Sequence, residues 1–334
     1  MTTHRTDSVL ITDRAWPTDA VERKVLEDAG FEVVSGPAEA GSSAEIESLV
    51  FEHQPRAILT CWAPVSPAAI NASRKLEIVA RMGVGLDNIA VAAATEAGVW
   101  VTNVPDYCLD EVSDHAVGLI LNWTRGISAF DREVRGGTWD PAVARLRRLS
   151  TLTVGIVGFG RIGRQTARKL GAFGCTVMGN DPGATAAEVD GVALHSADYL
   201  RETCDVIVLH APLLESTRHL VNDEWLATMK PGSLLVNVSR GGLVDTNAVV
   251  ASLGSGHLGG FAADVLDEEP DVVPTLRDHD GVVLTPHVAF SSDTSLIELR
   301  ERAAQEVVRV LSGHAPLRPC NQVRRQALKG DVHE

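Results

Sequence analysis

The sequence predicts an α/β chain built on two doubly wound parallel sheets, and three observations carry that expectation. Short apolar runs alternate with helix-period segments from Ser8 to Asn103, each boundary marked by Gly, Pro or Asn, and the same alternation resumes after Asp181. Alternation of this kind implies parallel strands with helices on both faces. Between the two regions, residues 152–181 read LTVGIVGFGRIGRQTARKLGAFGCTVMGND, a strand, a glycine-rich turn, a helix and a second strand ending in an acid. At 334 residues and 45% hydrophobic, the chain is also long enough to bury two cores.

In chain order, the first strands are expected at Val9–Ile11, Phe31–Val34, Ala57–Leu59, Ile78–Ala80 and Val99–Val101. The turn from Arg81 to Asn88 is punctuated by Gly83 and Gly85. Its spacing alone describes a plain turn, although backbone N–H groups at Val84 and Gly85 are of the kind that hold a carboxylate. Asp106 to Gly126 reads as a long helix linking the two domains, with Val112, Ala116, Leu119, Ile120 and Trp123 on one side. Phe130–Arg148, which holds Trp139, is expected as an extended arm, with Arg145, Arg147 and Arg148 on a solvated basic face. Further strands follow at Val154–Val157, Thr176–Met178, Val206–Leu209, Ser233–Val238, Gly260–Ala262 and Val282–Leu284. The last helix, Ser295–Leu311, can return to the first domain, and the tail beyond Gly313 reads as a surface strap with a frayed end.

In the glycine-rich unit each glycine has its own task. Gly158 permits the tight strand-to-helix turn, Gly160 lets the backbone approach a pyrophosphate, and Gly163 lets the helix pack on the sheet. The helix start at Arg161 and Ile162 then offers free N–H groups and the positive dipole end to phosphates. Asp181 ends the second strand, where a carboxylate accepts from an adenosine ribose and repels a 2′-phosphate. Pro182 and Gly183 follow it, with no Arg or Ser to receive such a phosphate, so NAD is expected over NADP.

Charge narrows the partners. Lys and Arg number 30 against 44 Asp and Glu, a formal net charge of −14, which repels nucleic acid and anionic membranes. The start MTTHRTDSVLIT has no apolar leader and no run is long enough to span a bilayer, so a cytoplasmic protein is expected. Cys61, Cys108, Cys175, Cys204 and Cys320 show no C-x-x-C spacing, so no disulfide framework and no metal site is expected, only reduced and mostly buried thiols.

Ligands of open α/β sheets bind beyond the carboxyl ends of the strands. Three polar residues sit there: Arg240 in NVSRGGLVD, Glu269 in ADVLDEEP and His287 in LTPHVAF. Singly each has a bland reading, as a surface cation, part of an acidic run and a polar strand end. Together they offer a carboxylate clamp, a proton donor and a partner that sets the donor's protonation state.

These motifs, VGFGRIG, NDP, LHAPL, NVSRGGLVD, ADVLDEEP and LTPHVA, resemble the D-isomer-specific 2-hydroxyacid dehydrogenases over nearly the whole chain. RMGVGLDNIA, NVPDYCLDEVSDHA and SLIELRERAAQEVVRVLSG are most similar to the branch related to C-terminal-binding proteins. The resemblance implies a Rossmann NAD-binding domain, residues 104–290, inserted into a flavodoxin-like substrate domain made of residues 1–103 and 291–334, with the active site in the cleft. It implies that Arg240 binds the carboxylate and keto oxygen of a small 2-keto acid, that His287 is the acid/base and that Glu269 orients it. The backbone at Val84 and Gly85 would also hold the carboxylate. For NAD it points to Gly158, Gly160, Arg161, Ile162, Gly163, Asp181, the loop His210, Ala211 and Pro212, the backbone of Val238 and Ser239, and Asp264 near the nicotinamide amide. Phe290 stands where the branch usually has Trp, which removes an indole N–H donor from the pocket. The long helix and arm resemble the segment through which this family dimerises, so a homodimer is expected. Two other functions share the fold, a dinucleotide-sensing scaffold and a dehydrogenase of another small anion such as phosphite. The full set of Arg240, Glu269 and His287 favours the 2-keto acid reductase.

Overall fold

The computed structural model describes residues 7–323, and the chain divides into two compact units. Among the described residues, one comprises 7–107 together with 292–323, and the other comprises Cys108–Ser291. The sequence puts these joins at 103/104 and 290/291.

In the first unit β1 (Ser8–Ile11), β2 (Glu32–Ser35), β3 (Ala57–Thr60), β4 (Ile78–Arg81) and β5 (Trp100–Thr102) form one sheet in the order β2-β1-β3-β4-β5. Every pairing is parallel, and the order is flavodoxin-like. α1 (Ala20–Asp28), α2 (Ser43–His53), α3 (Pro67–Ala72) and α4 (Val91–Glu96) make the crossovers. β3 and β4 are buried along their whole length, which is why Ala57–Leu59 and Ile78–Ala80 read as continuous apolar runs and not alternating ones. Leu10, Ile46, Val50, Ile58, Val79 and Val101 form the core on one side of this sheet. Strand ends move by a residue or two from the expected ones, as frayed ends do.

The second unit opens with α5 (Leu109–Arg125), three residues later than expected. Asp106 does not start the helix, because its carboxylate pairs with Arg302 and Arg318, each at 2.6 Å, inside the first unit. The expected extended arm is corrected at its beginning: Ile127–Arg135 is a helix, α6. Gly126, at φ +62°, ends α5 and starts α6, and only beyond Arg135 does the chain run irregularly to Thr151, with two short 3-10 turns. The arginines of this stretch are not all solvated. Arg147 lies 4.0 Å over the Trp123 ring and donates to Gly232 O at 3.2 Å, so it anchors the segment.

β6 (Thr153–Val157), α7 (Arg161–Ala172) and β7 (Thr176–Asn180) form the glycine-rich βαβ unit. A two-residue hairpin, β8 (Glu188–Val189) with β9 (Val192–Ala193), then leads into α8 (Ala197–Thr203), and Leu194 makes a single parallel bridge to Gly179. Strands this short carry no periodicity, so the sequence shows no sign of them. β10 (Val206–Leu209), α9 (Asp223–Ala227), β11 (Leu234–Asn237), α10 (Thr246–Gly254), β12 (Gly260–Ala263), α11 (Pro274–Arg277) and β13 (Val282–Leu284) complete a parallel sheet ordered β13-β12-β11-β10-β6-β7. From β6 the chain winds first to β7 on one side and later to β10 on the other, so the switch point lies between β6 and β10.

The chain returns to the first unit through α12 (Asp293–Leu311), whose start is capped by Ser292 and which buries Leu299, Ala303, Val307 and Val310. Arg300 on this helix pairs with the buried Glu22 of α1 at 2.7 Å. Beyond it a strap follows β5: Cys320 N donates to Val101 O, and Asn321 Oδ1 accepts from Val101 N. The strap covers that exposed sheet edge. The expected frayed end lies outside the described residues. Cys61, Cys108 and Cys204 are buried, Cys175 and Cys320 half-buried, and none is in a disulfide. Burial pushes the Cys61 thiol up to about 12, which keeps it protonated and unreactive. Among the described residues no helix is long and apolar enough to cross a membrane, and no group of three or more His, Cys, Asp or Glu is placed to hold a metal ion.

Candidate active site

The turn after β6 shows why its glycines are spaced as they are. Gly158 stands at φ +95°, and a Cβ there would lie 2.4 Å from Ala211 N, so only glycine lets the loop after β10 pass this close. A Cβ on Gly163 would lie 2.3 Å from Gly158 O, so this glycine lets α7 rest on the turn. Above Gly160, by contrast, a Cβ would meet nothing within 4 Å. That position is constrained by no protein neighbour, which fits a glycine kept for a ligand's close approach. Gly160 is the N-cap of α7 and no side chain caps the helix, so the N–H groups of its first turn are left for an anion. These features fit a dinucleotide.

The second strand completes the cradle. Asn180 O accepts from both Gly158 N and Phe159 N, at 2.9 and 3.0 Å, which holds the turn beside the end of β7. Asp181 follows, its Oδ1 accepting from Gly183 N at 2.9 Å. Across the switch point, His210 Nε2 meets Thr166 Oγ1 at 3.0 Å, and Ser239 Oγ donates to Ala211 O at 2.6 Å. Burial pushes the His210 imidazole down to about 4, so the ring is neutral at pH 7. Pro212 O accepts from Thr217 Oγ1, and Val238 is buried at the end of β11.

Beyond β11, β12 and β13 the three expected polar residues come together in one unit. Arg240 lies three residues past the end of β11, with its carbonyl accepting from Asn237 Nδ2 at 2.9 Å and its Nη1 donating to Ser239 O at 2.8 Å. Gly241 next to it lies directly beneath the loop that carries Glu269. A Cβ there would come within 1.9 Å of Leu266 C and O, so any larger residue would lift that loop. Asp267 also ties down this loop, accepting from His219 Nε2 at 3.0 Å. Glu269 Oε1 accepts from Leu266 N at 2.9 Å, and its Oε2 accepts from His287 Nδ1 at 2.8 Å. Since a carboxylate only accepts, the His287 proton is on Nδ1 and Nε2 is the nitrogen left for exchange. Partial burial pushes the Glu269 carboxyl up, but the His287 hydrogen bond and charge, the Leu266 N–H and the Arg240 charge together hold it below the usual carboxylate range.

His287 itself sits at φ +54°, a conformation in which His is among the few tolerated side chains, and its N–H donates to Asp264 O at 2.8 Å. The Phe290 ring stands edge-on to the imidazole, with centroids 6.2 Å apart at 80°. Asp264, placed near a nicotinamide amide by the resemblance, has a carboxylate only 1% exposed. Its oxygens accept from Thr285 Oγ1, Val288 N and Ala289 N, all on the loop around His287.

Val84 and Gly85 belong to the other unit. There Val104 N donates to Gly83 O and Asn103 Nδ2 to Val84 O, at 3.1 and 2.5 Å. In a trans peptide the N–H points opposite to the C=O, so the N–H groups of Val84 and Gly85 are turned away from these partners. Arg81, buried, donates to Met82 O and lies beneath the same turn, where a Cβ on Gly83 would come within 2.7 Å of its Nη1. The sequence alone does not single out Asn237, Gly241 or Thr285. The RGG doublet was the one signal that pointed to a backbone contact, and the others depend on residues far off in the chain.

A Rossmann domain with an Arg, a Glu and a His at neighbouring strand ends defines a dinucleotide-dependent dehydrogenase. The family model described as D-isomer specific 2-hydroxyacid dehydrogenase, NAD binding domain, matches residues 117–289. Among curated proteins, a glyoxylate reductase of Thermofilum pendens is 34% identical over 261 residues, 75% of this chain and 77% of that one. The D-3-phosphoglycerate dehydrogenase of Rattus norvegicus is 34% identical over 309 residues, 91% of this chain and 56% of that one. The chain thus spans only about half the length of the D-3-phosphoglycerate dehydrogenases it matches. Among solved structures, an NADPH-dependent glyoxylate/hydroxypyruvate reductase of Sinorhizobium meliloti, in complex with NADP and malonate, superposes with a TM-score of 0.85 at 31% identity, covering 97% of this chain and all of that one. The chain belongs to the D-isomer specific 2-hydroxyacid dehydrogenases, and its NAD-binding domain is the family's.

Proposed function

We propose that this chain is an NAD-dependent D-2-hydroxyacid dehydrogenase working as a 2-keto acid reductase. The observation that carries this reading is the 2.8 Å contact of His287 Nδ1 with Glu269 Oε2 at the strand ends of a dinucleotide-binding sheet. When bound, NADH supplies the hydride. His287, with its Nδ1–H held by the Glu269 carboxylate, gives the Nε2 proton to the substrate carbonyl oxygen in reduction and takes it back in oxidation. Arg240 offers a planar fork that holds the substrate carboxylate and offsets negative charge growing on the oxygen. Phe290 contributes an apolar wall. Gly158, Gly160, Gly163, Arg161 and Ile162 hold the pyrophosphate, Asp181 the ribose, and His210 to Pro212 with Val238 and Ser239 flank the dinucleotide. Asp181 with Pro182 and Gly183 supports NADH over NADPH.

The motifs RMGVGLDNIA and NVPDYCLDEVSDHA support a place near the branch related to C-terminal-binding proteins. The net charge of −14 supports a cytoplasmic protein acting on a small molecule and not on nucleic acid or membrane. Its exposed apolar segment, including Ile127 at 58% and Trp139 at 84% exposure, supports a homodimer. The test is a panel of 2-keto acids with NADH, followed at the nicotinamide absorbance. Glyoxylate, hydroxypyruvate and, in the reverse direction, 3-phosphoglycerate enter it because relatives are named for them. One member turned over, with His287→Ala slower by about 10²- to 10⁴-fold, is the expected result. No turnover anywhere, or a fully active His287→Ala, would overturn the reading.

A further inference from the structure

A second histidine, 172 residues before His287, is tied to the loop that carries it. His115 is half-buried on α5, and its Nε2 lies 2.9 Å from Thr285 Oγ1. The direction of this bond follows from its neighbour. Thr285 has one hydroxyl proton, and at 2.5 Å that proton goes to Asp264 Oδ1, so the bond from His115 is Nε2–H donating to Thr285 Oγ1. The chain His115 to Thr285 to Asp264 therefore points one way and ends on a carboxylate that is 1% exposed.

That carboxylate holds both ends of the turn around His287. Asp264 Oδ1 also accepts from Val288 N at 3.0 Å, Oδ2 accepts from Ala289 N at 2.8 Å, and the Asp264 carbonyl accepts from His287 N at 2.8 Å. His287 stands in the left-handed region at φ +54°, so its backbone keeps this shape only while its surroundings impose it. A desolvated carboxylate left short of a donor reorients toward another partner, and here the bonds it would release are the ones that impose that shape. His115 comes from a 17-residue helix packed on α7, β11 and β12 and tied to α7 by Lys169 with Asp114 at 2.6 Å, so the strut has a firm base.

We propose that His115 is a positioning residue for the acid/base His287, acting through Thr285 and Asp264 to keep the imidazole against Glu269. This rests on the reading of His287 given above. Glu269 faces the His287 ring, its Oε2 accepting from Nδ1, and a carboxylate in that place favours an imidazolium, while the Arg240 charge acts on Glu269 in turn. Loosening the turn weakens the Glu269 contact, so the imidazole of the variant should lose its proton at lower pH than that of the parent.

The test compares His115→Ala, His115→Gln, Thr285→Val, Thr285→Ser and His287→Ala with the parent. The His287 pKa is read by NMR of ¹⁵N-labelled histidine in the cofactor-free protein, NADH binding by fluorescence titration, and turnover with glyoxylate or whichever keto acid of the panel reacts. His115→Ala and Thr285→Val should each lower the His287 pKa by about half a unit or more and kcat by roughly 10- to 100-fold, with the Kd for NADH within about twofold. His115→Gln, which keeps an N–H at similar reach, and Thr285→Ser, which keeps the hydroxyl, should recover most of both. The double variant His115→Ala/Thr285→Val should be no worse than either single one, because the two act in series. A His287 pKa unmoved in folded Thr285→Val overturns the proposal, and since valine nearly matches threonine in shape this holds even if His115→Ala does not fold. In that event an inactive His287→Ala leaves the acid/base reading standing. A fully active His287→Ala removes both.

Discussion

The imidazole of His287 meets the carboxylate of Glu269 at 2.8 Å between Nδ1 and Oε2, across 18 residues of chain. Each is presented by a loop at the carboxyl end of a strand, and Glu269 is held below the usual carboxylate range, so a negative charge is present beside the imidazole at neutral pH.

Replacing that charge gives the first prediction. In Glu269→Gln the imidazolium loses its partner, so the pH above which keto-acid reduction fails should move down, and oxidation, which needs neutral His287, should persist to more acidic pH. Profiles of kcat/KM in both directions measure this. Superimposed profiles for parent and variant would mean that the pair is structural.

Arg240 and Gly241 should fail differently. Arg240→Lys keeps the charge but not the fork, so KM should rise and kcat fall together while the Kd for NADH holds. Gly241→Ala forces the backbone at Leu266 away from Arg240, because its Cβ would lie 1.9 Å from Leu266 C and O. It should lower both activity and Tm. An unchanged Tm in Gly241→Ala would show that the loop has room to yield.

The glycines of the cradle separate folding from binding. Gly160→Ala adds a Cβ to open space at φ −77°, so Tm should stay as in the parent while the Kd for NADH rises about tenfold or more. Gly158→Ala adds one 2.4 Å from Ala211 N at φ +95°, so it should lower Tm steeply or fail to fold. Calorimetry with NADH titration distinguishes them. Equal effects at the two positions would count against the cofactor role of Gly160.

His210 predicts acid sensitivity. Its imidazole is pushed down to about 4 in the folded protein and has an ordinary value near 6.5, so between those limits the unfolded chain takes up the proton first. Stability is unaffected above about pH 6.5 and falls as pH drops toward 4, by at most about 3 kcal/mol. Between pH 7.5 and 4.5 the parent should therefore lose more stability in urea unfolding than His210→Gln does. Parallel losses would show that the ring is protonated without cost.

The proposed homodimer should bury more than about 1,200 Å² in total. Light scattering at micromolar concentration should give twice the chain mass, and Trp139→Glu should reduce it. A parent that is a monomer throughout would exclude the interface.

The sequence by itself determined what depends on near neighbours. Alternating apolar runs and helical periods fix parallel strands with crossover helices, and backbone sterics fix where Gly158 and Gly163 must stand, so the two sheets and the cradle were legible, as was the place of Arg240, Glu269 and His287 at strand ends. Local pattern failed where a residue's fate is decided by something distant. Asp106 reads as a helix start until Arg302 and Arg318 claim it. Arg147 reads as a solvated cation until Trp123 lies beneath it. The tertiary structure alone decided that Gly241 lies against Leu266, that Asp264 turns inward to hold the loop of His287, and that His115 reaches Thr285 across 170 residues. The physical reason is that periodicity and φ preferences act over a few residues, whereas a hydrogen bond between loops exists only once the sheet beneath them has set their spacing.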